Sequence, residues 1–176
     1  ITHLILTTDE GGNRTLAGFS KDLSRTHSRV EKILIDYKLN NKRINSIIDD
    51  IKGSSVVIVS MLIRISMDKG ESTIDESHAL LLKRLKEENI PTVGVSFGSP
   101  YLPSYESLDA YMCTYGYGST SIKAAANAIW GRSNIQGKLP VRLNDKYKIG
   151  HGLEIKSRKF SFNNCVAIKS AITSKP

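Results

Sequence analysis

The hydrophobic residues of this chain form short apolar runs that alternate with stretches of helical spacing. The runs are bounded by turn residues and are rich in β-branched side chains, which predicts strands. They lie at residues 4–8, 32–37, 55–65, 92–97 and 108–113. The run at 55–65 is the longest, and its four consecutive β-branched residues are typical of a strand covered on both faces. The pattern therefore predicts strands that alternate with helices.

Four helices are predicted from apolar positions at intervals of three and four residues. The first is expected to begin at an N-cap, Asn13, and the second at an N-cap, Asn41. The third is predicted to open with a capping box at residues 73–76 (Thr-Ile-Asp-Glu) and to end near Asn89. The fourth is predicted at residues 119–130, with Gly131 ending it.

Repeated strand–helix units of this length favour right-handed crossovers between parallel strands. The predicted fold class is α/β, a three-layer α/β/α sandwich with a mainly parallel sheet and a flavodoxin-like layout. We expect residues 1–153 to form this domain. Residues 154–176 lose the pattern and are predicted to be a basic tail or linker.

Length and composition set broad limits on the class of protein. With 176 residues and 40% hydrophobic residues, the chain is long enough for one domain with a core. No apolar run reaches the roughly 18 residues of a membrane-spanning helix, so no membrane span is predicted. The chain begins at Ile1 rather than Met, and we expect it to be a piece of a longer protein. The cellular location stays open among the periplasm, the cytoplasm and secretion.

The net charge of +8 is concentrated at the C-terminal end. Residues 138–176 contain nine basic and two acidic residues, a net charge of +7, whereas residues 1–137 carry only +1. Two interpretations remain open: a solubilising tail, or a segment that binds an anionic partner. Because the tail lacks any recognised RNA- or DNA-binding motif, we expect no nucleic-acid partner.

Cofactor and metal sites are not predicted. The first loop holds Gly11 and Gly12, but it lacks the glycine patterns of phosphate loops, and Asp9 and Glu10 would repel phosphate. No histidines and cysteines stand at metal-ligand spacing. Cys113 is expected to be a buried free thiol, with a disulfide to Cys165 as the alternative.

Two segments carry a family resemblance. Phe97-Gly98-Ser99-Pro100-Tyr101 turns the chain at the carboxyl end of a predicted strand, where open α/β sheets form ligand clefts. Residues 137–141 (Gly-Lys-Leu-Pro-Val) follow the fourth helix and favour an extended backbone. This order resembles the C-terminal α/β domain of glycoside hydrolase family 3, and the first segment is most similar to its β-N-acetylglucosaminidase branch.

The resemblance implies a role beside a missing catalytic domain. Retaining glycosidases need two carboxyl groups, and in this family the nucleophile belongs to an N-terminal TIM-barrel domain that these residues do not contain. The implied parent hydrolyses terminal β-linked sugars, and this chain alone is expected to be inactive. Two alternatives from other classes are a stand-alone flavodoxin-like binding or regulatory module and an anion-binding module that uses the basic tail.

Candidate site residues lie in two loops that should share one edge of the sheet. The first loop, residues 64–73, offers Arg64, Asp68 and Glu71, with a solvated connection as the alternative; the second offers Ser99 and Tyr101. In the β-glucosidase-like branch, a glutamate from a loop of this domain acts as the acid/base, and Glu71 is the nearest candidate here. In the other branch a barrel histidine takes that role.

His78 does not match that barrel histidine. It falls in the first turn of the predicted third helix, and the sequence predicts a partly exposed helix residue there rather than a catalytic one.

Overall fold

The computed structural model describes residues 1–7, 10–35, 38–63 and 74–158. Within them, five strands form one parallel sheet in the order β2-β1-β3-β4-β5. The strands are β1 (Thr2–Leu6), β2 (Glu31–Ile35), β3 (Val57–Ile63), β4 (Thr92–Gly98) and β5 (Ala110–Cys113). This confirms the predicted α/β class, and each strand overlaps a predicted apolar run.

Four helices connect and follow the strands: α1 (Glu10–Ser24), α2 (Asn41–Ile51), α3 (Glu76–Glu87) and α4 (Ser119–Ile129). Three predicted caps were wrong. Asn13 lies inside α1, because the helix begins at Glu10. The N-cap of α2 is Asn40, whose side chain accepts a hydrogen bond from the Arg43 N–H. The N-cap of α3 is Asp75 rather than the first residue of the predicted capping box.

The side chains of each strand alternate between the two faces of the sheet, and both faces are covered. On one face, β-strand residues pack with the buried stripes of α2 and α3 in a single core cluster. On the other face, Phe19 of α1 makes edge-to-face contacts with His3 and Phe97, at ring-centroid distances of 5.3 and 5.1 Å. Burial on both faces explains why β3 is apolar throughout.

The chain divides into two compact units, Ile1–Ile122 and Lys123–Pro176. The described part of the second unit begins with the end of α4 and has little regular structure. Ile135 and Ile155 form an antiparallel bridge, and the Arg158 N–H donates to the Gly131 carbonyl at 2.8 Å. Residues 154–158 are therefore hydrogen-bonded to the rest of their unit. None of the described helices has the length and hydropathy needed to cross a bilayer.

Candidate site at the carboxyl edge of the sheet

The carboxyl ends of β3 and β4 lie side by side, as the parallel pairing requires. Ile63 is opposite Gly98, and the Ser99 N–H donates to the Ile63 carbonyl at 2.8 Å. Both strands therefore end at the same edge, which is where ligands bind in open α/β sheets. Of the predicted site residues, Ser99 and Tyr101 lie at this edge, whereas Arg64, Asp68 and Glu71 lie outside the described residues.

Gly98 makes this junction possible. Its φ of +91° lies in a region that side-chain-bearing residues rarely adopt, and an added Cβ would sit 2.5 Å from the Ile63 carbonyl oxygen. Only glycine lets the chain turn here while it stays hydrogen-bonded to β3. The turn directs residues 99–101 along the carboxyl edge.

Two hydrogen bonds that involve side chains hold the loop after β4. The Tyr111 hydroxyl donates to the Pro100 carbonyl at 2.8 Å, and the Ser99 hydroxyl oxygen accepts from the Tyr101 N–H at 3.3 Å. Tyr111 itself stacks on Tyr105, with 5.8 Å between ring centroids. These contacts fix the loop backbone while the Tyr101 side chain stays 46% exposed.

The turn after β5 is fixed by Thr114. Its N–H donates to the Ser96 carbonyl at 3.0 Å, and its hydroxyl lies 2.7 Å from the Gly116 carbonyl oxygen. The next residue, Tyr115, has a left-handed backbone (φ +57°) and a side chain that is 40% exposed. For a residue with a Cβ this conformation costs about 1–2 kcal/mol. The turn therefore presents an aromatic ring at the expense of local strain.

Three polar residues lie near the ends of the paired strands β4 and β5: Ser96, Tyr111 and Cys113. Burial raises the pKa of the Tyr111 phenol. Burial also raises the pKa of the Cys113 thiol, and hydrogen bonding by Ser96 and Tyr111 lowers it by a smaller amount. The Ser96 hydroxyl is near enough to influence both groups but makes no hydrogen bond of ordinary geometry within the described part of the chain. Since a raised pKa keeps the thiol protonated, Cys113 is a poor nucleophile.

The thiol of Cys113 is free, as predicted, but it is half-buried rather than buried. The reason is that β5 is an edge strand, with β4 on one side only among the described strands. Cys165, its alternative disulfide partner, lies outside the described residues.

The two described loops at this edge do not supply a carboxylate that could act as an acid or base. Residues 99–104 and 114–118 contain hydroxyls, backbone groups and aromatic rings, and no carboxylate. A glycosidase mechanism requires two carboxyl groups at the scissile bond. A reaction of that kind at these two loops would therefore need carboxylates from elsewhere.

Two histidines are fully buried, and the prediction for one of them was wrong. His78 is 1% exposed rather than partly exposed, because it shares a face of α3 with Leu81 and Leu82, three and four residues further on. His3 lies in β1, and its Nε2 is 2.7 Å from the Ser60 hydroxyl. No group of three metal-ligating side chains occurs among the described residues.

A shallow depression lies beside the amino end of β2, the edge strand on the side of the sheet away from β5. It is lined by residues of α1 and β2, among them Lys21 and Lys32, and it opens widely to solvent. The depression lies away from the loops that follow the strands, so it is separate from the candidate site.

Sequence reasoning missed the tyrosines that shape this edge. The sequence predicts a strand position for Tyr111 and no role for Tyr115. A signal for the second was present: residues 115–118 read Tyr-Gly-Tyr-Gly directly after an apolar run. Aromatic residues between glycines at a strand end combine exposed rings with a backbone that turns sharply. The contact of Tyr111 with Pro100 has no sequence signal, since it depends on strand register.

Comparison with known proteins shows similarity at the level of structure. No family model and no curated protein matches the sequence. A glycoside hydrolase family 3 β-N-acetylglucosaminidase from Paenibacillus sp. str. FPU-7 matches 81% of this chain and 27% of its own, with a TM-score of 0.62 and 14% identity. A mutant β-glucosidase from Listeria innocua in complex with laminaribiose matches 91% and 28%, with a TM-score of 0.61 and 17% identity.

A third similar structure is a β-glucoside phosphorylase, with a TM-score of 0.60, 18% identity, and coverage of 81% of this chain and 26% of its own. At these identities the shared property is the fold. The predicted structural resemblance to glycoside hydrolase family 3 is thereby confirmed. This chain spans about a quarter of the length of each of these proteins.

Proposed function

We propose that this chain is the C-terminal-type α/β domain of a glycoside hydrolase family 3 protein that hydrolyses terminal β-linked sugars. The observation that carries the proposal is the match of most of this chain to about a quarter of several enzymes that act on β-linked sugars. An N-terminal TIM-barrel domain of the same parent protein would supply the nucleophile. This domain would support one side of the substrate cleft.

The lack of carboxylates at residues 99–104 and 114–118 is consistent with this division of labour. A domain that lines a cleft needs rigid loops with hydroxyls and aromatic surfaces, and the loops after β4 and β5 have both. Ser99 and Tyr101 are our proposed cleft residues from the described part of the chain, and Arg64, Asp68 and Glu71 are proposed to join them.

The proposal is tested by comparing the isolated chain with its parent protein on chromogenic β-glycosides. We expect the isolated chain to show no turnover and the parent to hydrolyse them. Turnover by the isolated chain that survives repurification and disappears when one of its carboxylates is replaced would contradict the proposal. A parent protein inactive on every β-glycoside would contradict it as well.

We propose the β-N-acetylglucosaminidase-like branch, because the Phe97–Tyr101 segment is most similar to that branch. Similarity in structure does not separate the branches, since the TM-scores of 0.62 and 0.61 are nearly equal. The parent should then prefer β-N-acetylglucosaminides to β-glucosides, as measured by the ratio of the two kcat/KM values. A preference for glucosides would place it in the other branch.

The variant Glu71→Gln in the parent separates the two branches by mechanism. In the β-glucosidase-like branch Glu71 would be the acid/base, and its loss should lower kcat by about 100-fold or more on substrates with poor leaving groups. In the branch we propose, the barrel supplies that group and the variant should stay active. Glu76→Gln, at an exposed glutamate of α3, is the matched control.

A further inference from the structure

The edge strand β2 has one side that no described strand covers. It stands at one end of the strand order, with β1 on its other side. The Glu31 N–H donates to the Ile1 carbonyl at 3.0 Å, and because backbone groups alternate along a strand, residues 31, 33 and 35 all bond to β1. The N–H and C=O groups of Lys32 and Leu34 therefore point outward from the sheet, where an added strand can pair with them.

The side chains of Lys32 and Leu34 lie on the face of the sheet that α1 covers. Ile35 belongs to the core cluster with α2 and α3, and Ile33 packs against it, so the alternate residues of β2 point to the opposite face. On that face the shallow depression is lined by α1 residues and by Val30 and Lys32. A strand added to β2 would therefore pass beside the depression.

This part of the chain is basic, although the unit that contains it is not. Residues 14–32 carry five basic and two acidic side chains, whereas residues 1–122 together carry 14 basic and 15 acidic ones. Arg25 pairs with Asp22 at 2.9 Å. Lys21 and Lys32, which line the depression, are exposed and form no salt bridge with a carboxylate among the described residues. Their charges are therefore available to an acidic partner.

We propose that the open edge of β2 binds an extended acidic peptide segment of a partner protein. The segment adds to the sheet as a further strand, and its backbone bonds to the outward groups of Lys32 and Leu34. Every second side chain of the segment lies on the α1 face, where carboxylates meet Lys21 and Lys32. In binding of this kind the backbone hydrogen bonds give affinity, and the alternate side chains give specificity.

The edge lysine decides which strands are accepted. Lysine on an edge strand commonly blocks pairing with other chains. The same charge attracts a strand that presents carboxylates to it, so the edge selects by charge. A second copy of this chain is disfavoured at the edge, because its own β2 carries the same lysine. The inference does not depend on the proposed enzymatic function.

The experiment is an NMR titration of the full 176-residue chain, labelled with ¹⁵N, with a blocked decapeptide that alternates glutamate and valine. This probe can form a strand and presents its carboxylates on one side. We expect it to shift the amide resonances of Lys32 and Leu34 and to slow the exchange of their N–H groups with solvent. The N–H of Ile33, which faces β1, should change less.

Three further probes separate strand addition from attraction by charge alone. A decapeptide that alternates glutamate and proline keeps the charge but lacks half of the N–H donors, and it should bind at least about 5-fold more weakly. A decapeptide that alternates lysine and valine should not bind. Inorganic phosphate at the same concentration should leave the Lys32 and Leu34 amide resonances unchanged.

Variants of the two lysines test the charge requirement. Lys21→Ala and Lys32→Ala should each raise the Kd of the glutamate–valine peptide about 2- to 5-fold, the range for one exposed ion pair. Lys83→Ala, at an exposed lysine of α3, is the matched control and should bind as the unmodified chain does. The double variant Lys21→Glu, Lys32→Glu should lose the glutamate–valine peptide and bind the lysine–valine peptide instead. Since both lysines are exposed, each variant should keep the amide spectrum of the folded chain.

Several results would overturn the inference. Equal binding of the glutamate–proline peptide would show that the backbone edge is not used. The same shifts with inorganic phosphate would indicate a small-anion site. A dimer in which the Lys32 and Leu34 N–H groups are already protected would show that a second copy covers the edge. No binding of the glutamate–valine peptide, or binding that is insensitive to the lysine variants, would remove the proposal altogether.

Discussion

Replacing His3 with glutamine should flatten the dependence of stability on pH between pH 7 and pH 5. His3 is fully buried, and burial lowers its pKa from 6.5 to about 3, with the charge of Lys32 as a smaller cause. The folded protein therefore keeps the ring neutral at pH values where the unfolded chain binds a proton. Since the unfolded state binds more protons in this window, stability is present above pH 6.5 and is lost as the pH falls.

The contacts of the ring explain why its charged form is disfavoured. A neutral imidazole with its proton on Nε2 donates to the Ser60 hydroxyl at 2.7 Å and leaves Nδ1 as a bare acceptor. Among the described residues Nδ1 has no hydrogen-bond partner. Protonation would place a buried N–H there without an acceptor, and it would bring a positive charge against the ring of Phe19 and near Lys32.

The magnitude follows from the two pKa values. Linkage with pKa 6.5 unfolded and about 3 folded gives a loss of about 2 kcal/mol between pH 7 and pH 5 from this residue. That is a large part of a typical domain stability of about 5–15 kcal/mol. The glutamine variant has no group that titrates here, so it should lack this part of the slope even if it is less stable at pH 7.

The assay is urea denaturation followed by circular dichroism at half-unit steps from pH 7.5 to pH 4.5. The free energy of unfolding of the unmodified chain should fall by about 2 kcal/mol more than that of His3→Gln between pH 7 and pH 5. His151→Gln, which removes an exposed histidine, is the matched control and should follow the unmodified chain. Parallel curves for the unmodified chain and His3→Gln would refute the reasoning.

Three further predictions concern the turn, a cap and the tail. Gly98→Ala should destabilise the protein by at least about 2 kcal/mol in chemical denaturation, because φ is +91° and the new Cβ would meet the Ile63 carbonyl. Asp75→Ala should cost about 1 kcal/mol at pH 7 through loss of the N-cap. Hydrogen bonds from Ser77 lower the pKa of Asp75, so this difference should shrink as the pH falls below 3.8. Removing residues 159–176 takes away three lysines and should weaken heparin retention without unfolding the sheet; tight, salt-sensitive DNA binding by the shortened chain would instead reveal a nucleic-acid site.

The order of the strands and helices was predictable because each element is indicated by the hydrophobic pattern of its own short segment. The run of Val56 to Val59 leads into β3, which is buried on both faces, and the isoleucines of α2 recur at helical spacing and are all buried. Both patterns are set by which side chains must leave water, and each is visible within about ten residues. Gly98 was recognised as a turn at a strand end for the same reason.

Tertiary structure decided the features that depend on contacts between distant residues. The helix caps differ from the prediction by one or more residues because neighbouring residues such as Asn40 and Asn41 can both cap a helix, so the local sequence does not fix the boundary. The burial of His78 required knowing which face of α3 meets the sheet. The strand order β2-β1-β3-β4-β5 then brought residues from β4 and β5 to one edge. The loops that carry Tyr101 and Tyr115 start from one edge only because paired parallel strands share their carboxyl ends, a relation that no single stretch of sequence contains.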